Sequence, residues 1–209
     1  DGQWCLLLLS ALDTTQKEAL RRECGWLGFA PLSANIMAHP LPDLTELDIT
    51  MRRLGVGETL VVMRGSTVRS EAAMRELAHS RWNLDDIDSA YAAFVKRFRP
   101  LLRSLTGRAQ LSDKSAFLAR TLLIQEYRKV LLRDPWLPEE LLPAGWNGSA
   151  AYQLCRNLYL RIHSQADAWL DVMMDTADGP LPPPSAAFWR RFGGLETGAR
   201  GKQESAVNE

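Results

Sequence analysis

The chain has 209 residues, of which 46% are hydrophobic and 24% charged, a composition typical of a globular protein with a hydrophobic core. This composition excludes globally disordered chains, collagen-like repeats and disulfide-stapled miniproteins. Twenty-five basic residues balance twenty-five acidic ones, so the bulk charge does not favour binding to nucleic acid, which usually needs a basic patch.

The first part of the chain predicts short strands that alternate with helices. Asp13 to Thr15 offer a helix N-cap, and Glu18 follows Thr15 at the spacing of a capping box. The predicted elements are a strand over 3–10, a helix that ends at Gly28, strands over 29–32 and 35–38, a helix from Pro42 to Gly55, and a strand over 58–65. This order is that of the split βαβ, ferredoxin-like arrangement, so we predict an α+β fold.

From Val68 onward, segments of helical length separated by Pro and Gly predict an all-α part. The predicted helices cover about 70–81, 85–100 with a continuation to 105, 112–134 and 149–174, with one helical turn inside 134–143. We therefore predict a ferredoxin-like domain over 1–67 and a helical domain over 68–195. Residues 196–209 contain no large apolar residue and are predicted to be disordered.

The three cysteines, Cys5, Cys24 and Cys155, lack the spacing of a disulfide framework or a zinc site. We predict that they are reduced thiols in the core of a cytoplasmic protein. The apolar run over 4–9 is far shorter than the roughly 20 residues that span a bilayer, so we predict no membrane partner. The chain opens on Asp1 and not on Met, which suggests that upstream residues are missing.

Residues that could carry catalysis are scattered. The histidines lie far apart, with no GxSxG or HExxH motif beside them: His39, His79 and His163. Asp85, Asp86 and Asp88 precede a predicted helix, where acidic residues interact favourably with the helix dipole, and they lack EF-hand spacing. We therefore predict no enzyme, no metal site and no cofactor.

A basic and aromatic helix is the most informative feature of the second half. The helix predicted from residue 85 carries three arginines and three aromatic rings: Arg97, Arg99, Arg103, Tyr91, Phe94 and Phe98. Cations beside an aromatic wall suit a phosphorylated ligand with an apolar end. The alternative is an amphipathic helix with a solvated basic face and an aromatic core face, and the sequence leaves both interpretations open.

Five segments together resemble the PaaX family of bacterial transcriptional repressors. The longest is EYRKVLLRDPWLPEELLPAGWNGSAAYQLCRNLYLRI at 126–162. DGQWCLLLLS at 1–10, WLGFAPLSANIMAHP at 26–40, WNLDDIDSAYAAFVKRFRPL at 82–101 and FWRRFGGL at 188–195 extend the resemblance. It covers nearly all of the chain except the last dozen residues, and the order and spacing of the segments make it specific.

The resemblance implies a regulator with three parts: an N-terminal winged-helix DNA-binding domain, a ferredoxin-like domain similar to Cas2, and a helical domain for dimerisation and effector response. The 209 residues contain no helix-turn-helix pattern, which would explain their neutral charge. The family further implies a homodimeric repressor of phenylacetate catabolism genes, bound to operator DNA through the absent domain and released by phenylacetyl-coenzyme A.

An acyl-coenzyme A effector requires aromatic packing together with arginine forks for its phosphates. The resemblance transfers no contact residue by residue, so the candidate effector-binding residues come from the basic and aromatic set. They are Arg64, Trp82, Phe94, Arg97, Arg99, Tyr127 and Arg128.

Two alternatives belong to other functional classes. An enzyme acting on a coenzyme A thioester or on nucleic acid would need a nucleophile or base that the sequence does not show. Cas2-like nucleases hold a metal near the end of the first strand, where Asp13 is the only carboxylate and is better suited to cap a helix. The remaining alternative is a dimerisation module that binds no ligand.

Overall fold

The computed structural model describes residues 3–40, 42–66, 71–105, 110–176 and 179–194. Strands and helices alternate as far as β4, and helices predominate after it. The elements are β1 (Gln3–Leu8), α1 (Thr14–Trp26), β2 (Ala30–Ser33), β3 (Ile36–His39), α2 (Leu44–Arg53), β4 (Val61–Ser66), α3 (Glu71–Arg81), α4 (Leu84–Ser104), α5 (Asp113–Leu131), α6 (Gly148–Met173), β5 (Asp175–Thr176), β6 (Gly179–Pro180) and α7 (Ala186–Trp189). Short 3-10 turns cover Glu139–Leu141 and Arg191–Gly193.

The first four strands form one antiparallel sheet in the order β2-β3-β1-β4. Leu7 of the central strand β1 lies opposite Met37 of β3 and Val62 of β4. This sheet and the mostly helical remainder confirm the predicted mixture of α and β structure.

Alternate residues of β1 supply the core on one face of this sheet. Cys5 and Leu7 of the strand, and Leu9 directly after it, are buried, as the period of two along a strand requires. They cluster with residues of α1 and α2 that include Leu20, Cys24 and Leu47.

All three cysteines are free and buried, as predicted: Cys5, Cys24 and Cys155. Burial raises the pKa of Cys24 and that of Cys155 to about 12. These thiols are therefore protonated and inert at neutral pH.

The N-cap of α1 differs in detail from the prediction. Asp13 is the capping residue, and its side chain accepts a 2.8 Å hydrogen bond from the backbone N–H of Gln16. The Gln16 side chain accepts from the Asp13 backbone N–H, so Gln16 closes the capping box. The predicted pair of Thr15 and Glu18 is wrong because helix α1 already begins at Thr14.

Helix α4 continues through Pro100 to Ser104, as one helix of 21 residues. The sequence predicted an end at Pro100 with a possible continuation. Pro100 is exposed, while Val95 and Phe98 are buried. Leu105, directly after the end of α4, is also buried, so buried residues flank the proline on both sides. Their burial compensates for the backbone hydrogen bond that a proline removes.

The chain forms two compact units. The first combines Asp1–Ala90 with Val130–Trp146, and the second combines Tyr91–Lys129 with Asn147–Glu209. In the first unit, the ring Nε2 of His39 lies 3.2 Å from the carbonyl oxygen of Pro135, which ties the later segment to the sheet.

The proposed domain boundaries after residues 67 and 195 remain predictions. The predicted disordered tail, 196–209, lies outside the described residues. In the ranges that the structure describes, no helix combines the length and the apolar character needed to cross a membrane.

Candidate functional site

Helix α4 separates its aromatic residues from its cations. The buried positions follow helical spacing: Tyr91, Phe94, Val95 and Phe98. The basic residues of the same helix are exposed: Lys96, Arg97, Arg99 and Arg103. The helix therefore has an aromatic core face and a basic solvent face, as the second interpretation of the sequence describes.

The aromatic face of α4 packs against α5. The Phe94 ring lies 5.4 Å from that of Tyr127 and 4.9 Å from that of Phe98, between ring centroids. The rings of Tyr91 and Tyr127 are 6.4 Å apart. Each aromatic pair adds about 0.5–1.5 kcal/mol beyond the burial of its area. Phe94 and Tyr127 thus fix the two helices beside each other.

A carboxylate lies between the cations of α4 and α5. Glu126 forms ion pairs with Arg97 of α4 and with Lys129 of its own helix. The hydrogen bond from Lys129, together with the charges of Lys129 and Arg97, lowers the pKa of Glu126 below its usual range. Glu126 is therefore ionised at neutral pH and competes with any anionic ligand for Arg97.

Two more of the candidate residues lie on the same pair of helices. Arg99 and Arg128 are exposed on α4 and α5, in the same compact unit as Phe94, Arg97 and Tyr127. The structure therefore places five of the seven candidates on one pair of helices.

Trp82 and Arg64 belong to the first unit. The Trp82 indole N–H donates a 2.7 Å hydrogen bond to the carbonyl oxygen of Gly28, and its ring lies 6.0 Å from that of Trp4. Arg64 is exposed on the edge strand β4, opposite Cys5. Trp82 is buried and its polar group is satisfied, so its environment is that of a core residue.

A buried polar cluster in the second unit was not found from the sequence. Arg120 of α5, with a side chain only 11% exposed, pairs with Asp167 of α6. The Nδ1 atom of His163 lies 3.8 Å from the second oxygen of Asp167 and has no hydrogen-bond partner. The spacing of His163 and Asp167, four residues apart, could have indicated their proximity, but nothing in the sequence pointed to Arg120.

The three histidines have different environments and partners. His39 is buried in the first unit, and burial lowers its pKa. His79 pairs with Asp85 at 3.1 Å, and His163 lies in the second unit. Of the residues described, no three His, Cys, Asp or Glu side chains are grouped so that they could hold a metal ion.

Comparison with known proteins places this site in a recognised domain. Residues 82–172 match the PaaX-like protein C-terminal domain. The chain is 37% identical over 198 residues to the transcriptional repressor PaaX of Escherichia coli K12. The match covers 93% of this chain and 63% of the repressor, so the chain spans less than two thirds of that relative.

One solved structure is also similar. It is the uncharacterized protein Rv0674 from Mycobacterium tuberculosis, with a TM-score of 0.47 and 24% sequence identity. The alignment covers 80% of this chain and 63% of that protein.

Proposed function

We propose that this chain is a member of the PaaX family, and that it is the effector-sensing and dimerising part of a transcriptional repressor of phenylacetate catabolism genes. The 37% identity to the repressor of E. coli, over 93% of this chain, is the observation that carries the proposal. Operator DNA would be bound by a winged-helix domain outside these 209 residues. Such a repressor acts in the cytoplasm, where its operator lies.

We also propose that the first unit contains a ferredoxin-like, Cas2-like domain. Its support is the antiparallel strand order β2-β3-β1-β4, with α1 and α2 between successive strands. Asp13, the first carboxylate after β1 in the sequence, caps α1 by accepting a hydrogen bond from the backbone N–H of Gln16. This capping role explains Asp13 without a metal, which favours a regulatory domain over a nuclease.

The proposed effector is phenylacetyl-coenzyme A, with its phosphates on the exposed cations of α4 and α5. Arg97, Arg99 and Arg128 are the side chains that can reach a solvent-borne phosphate. Phe94 and Tyr127 are buried between the helices, so they position the cations and could meet the acyl group only if α4 and α5 separated. The proposal does not depend on Arg64 or Trp82.

The mechanism is a population shift. An effector that replaces Glu126 as the partner of Arg97 would break the ion pair that joins α4 to α5. The effector would then stabilise whichever arrangement of the two helices binds it more tightly. In a homodimer, this shift would alter the spacing of two DNA-binding domains on their half-sites. The change in operator affinity is then limited by the difference in effector affinity between the two arrangements.

Calorimetric titration of the 209-residue chain with phenylacetyl-coenzyme A tests the effector site. The double variant Arg97→Ala, Arg99→Ala should bind at least about tenfold more weakly, because two charge-assisted contacts are lost. Glu126→Gln should bind more tightly, because the competing carboxylate is removed. Lys114→Ala, which removes an exposed charge at the start of α5, is the matched control and should leave affinity unchanged. Undiminished binding by the double variant would contradict this placement of the site.

Two further measurements separate the alternatives. Sedimentation should show a dimer, and incubation with the thioester should leave its absorbance constant. Steady thioester hydrolysis would indicate the enzyme, whereas a dimer that binds neither phenylacetyl-coenzyme A nor phenylacetate would indicate a ligand-free dimerisation module.

A further inference from the structure

Helix α6 carries an aromatic and basic stripe along one face. Tyr152, Arg156 and Tyr159 follow one another at the i, i+4 and i+7 spacing that places side chains on the same face of a helix. His163 continues the stripe four residues later, and its ring stacks on that of Tyr159, with 6.2 Å between centroids and 10° between planes. Tyr159 and His163 are buried, whereas Tyr152 is 40% exposed. The stripe therefore starts at the surface and ends in the buried polar cluster.

Phe192, in the 3-10 turn that follows α7, lies against this stripe. Its ring centroid is 6.1 Å from that of Tyr152 and 5.1 Å from that of Tyr159. The Arg156 Nε–H donates a 2.9 Å hydrogen bond to the carbonyl oxygen of Phe192. Tyr152, Arg156 and Tyr159 thus bind both the ring and the carbonyl group of one residue, and we call these three side chains the Phe192 seat. All of them belong to the second compact unit.

Phe192 occupies the seat in an unfavourable backbone conformation. Its φ is +54° and its ψ is 28°, in the left-handed region that bulky residues rarely adopt. The segment that carries it lies at the surface, since none of the four residues of α7 is buried. A free ligand that made the same contacts with the seat would not bear this backbone strain.

The chemistry of Phe192 indicates which ligand fits the seat. Two carbon atoms, Cβ and Cα, separate its aromatic ring from its carbonyl carbon. A 3-arylpropanoate has the same spacing, and its carboxylate would turn the neutral hydrogen bond from Arg156 into a stronger, charge-assisted one. The exposed side of Tyr152 leaves the seat accessible from solvent.

We propose that the Phe192 seat is a binding site for an arylpropanoate carboxylate, and that the protein's own Phe192 occupies it until such a ligand displaces it. The seat lies on α6 and shares no residue with the candidate effector site on α4 and α5. Its occupation is therefore a separate property of the second unit.

Calorimetric titration of the 209-residue chain with 3-phenylpropanoate tests the proposal. Phe192→Ala should bind this probe at least about tenfold more tightly than the wild type, because a tethered competitor is removed. Propanoate, which lacks the ring, and 3-phenylpropylamine, which has a cation in place of the carboxylate, should each bind Phe192→Ala at least about tenfold more weakly than 3-phenylpropanoate does. No binding of 3-phenylpropanoate to Phe192→Ala, or equal binding of propanoate, would overturn the proposal.

Substitutions in the Phe192→Ala background identify the seat. Arg156→Ala and Tyr152→Ala should each lower the affinity for 3-phenylpropanoate by at least about fivefold, because each removes one recognised contact. Neither side chain is buried, so both variants should keep the melting temperature of their parent. Arg190→Ala, at an exposed arginine of the same C-terminal segment, is the matched control and should bind the probe normally. Undiminished affinity in both seat variants would refute the site.

Tryptic cleavage after Arg191, followed by mass spectrometry, measures the displacement of Phe192. Saturating 3-phenylpropanoate should speed this cleavage in the wild type towards the rate of Phe192→Ala, because a released segment is cut more readily. The double variant Arg97→Ala, Arg99→Ala should respond as the wild type does, whether or not it binds phenylacetyl-coenzyme A. Binding of the probe without faster cleavage, or loss of the response in that double variant, would place the ligand elsewhere and contradict the proposal.

Discussion

Gly28 shows how a single residue fixes the local packing of the first unit. It follows α1 with a φ of +86°, and its carbonyl oxygen accepts the indole hydrogen bond of Trp82. A side chain at this position would collide with His39, which is itself bound to Pro135. The packing of Gly28, His39, Trp82 and Pro135, which lie far apart in the chain, therefore depends on the absence of a side chain at position 28.

Replacement of Gly28 by alanine should lower the free energy of unfolding by roughly 2–4 kcal/mol, because backbone strain adds to a clash with a buried ring. Gly55→Ala is the matched control, since Gly55 has a φ of +66° but nothing within 4 Å of its virtual Cβ. That variant should lose only about 1–2 kcal/mol. Urea denaturation of both variants measures the two free energies of unfolding. Equal losses of stability would show that His39 can move away from the added methyl group without destabilising the protein.

At the scale of elements, helix α4 is held by its buried face despite an unfavourable residue. Pro100 lies four residues from the end of the helix and is exposed. Its ring cannot donate the helical hydrogen bond, and a proline in a helix interior is about 3 kcal/mol less favourable than alanine. The burial of Tyr91, Phe94 and Phe98 offsets this cost.

Pro100→Ala should therefore raise the stability of the protein by about 1–3 kcal/mol, because alanine restores the backbone donor in α4. Arg99→Ala, at the neighbouring exposed position, should change stability by less than about 0.5 kcal/mol. Thermal melts followed by circular dichroism measure both effects. A lower melting temperature for Pro100→Ala would mean that the proline shapes the helix in a way that the packing requires.

The ion pairs of Glu126 join α4 to α5 in a manner that depends on pH. The folded pKa of this carboxyl lies below that of an unfolded glutamate, chiefly because Lys129 donates a hydrogen bond to it. A lowered pKa contributes stability above the unfolded pKa, and this stability is lost as pH falls through the folded pKa. The contribution is therefore complete at neutral pH and absent in acid.

Glu126→Gln should lower the melting temperature at neutral pH and should match the wild type in acid, where both side chains are uncharged. Added salt should reduce the difference at neutral pH, since these charges are near the surface. Glu139→Gln, at an exposed glutamate of the first unit, is the control and should show no such pH dependence. A deficit that persisted in acid would show that Glu126 acts through packing and not through its charge.

At the scale of the whole molecule, the first compact unit is assembled from separated parts of the chain. Trp82 and Pro135 lie beyond the predicted boundary at residue 67, and both bond to residues of the sheet region. The sheet and its two helices therefore rely on later segments, although their elements come from the first 66 residues.

A fragment of residues 1–67 should consequently unfold at a lower urea concentration than the full chain. It loses Trp82, and deletion of a buried tryptophan side chain typically costs about 3–5 kcal/mol. Trp82→Ala in the full chain should reproduce much of that loss, whereas the exposed Trp26→Ala should not. A fragment as stable as the full chain would instead support an independent domain that ends at residue 67.

The sequence correctly predicted the features that depend on residues close together in the chain. The order of strands and helices, the buried thiols and the amphipathic character of α4 follow from periodicity over a few turns. It recognised Asp13 as a capping residue, but it placed the capping box on Thr15 and Glu18 because Glu18 lies as far from Thr15 as Gln16 lies from Asp13. Among the candidate site residues, it could not tell that Phe94 and Tyr127 are buried against each other while Arg97 is paired with Glu126.

The amino-acid sequence alone determined the order of the main helices and strands and the similarity to the PaaX family, because helical and strand periods and an ordered set of segments are local properties. Only the tertiary structure decided which distant groups meet. His39 and Pro135 are 96 residues apart, and Arg120 and Asp167 are 47 apart. No local propensity encodes such pairs, since they form only when the burial of apolar faces brings remote segments together.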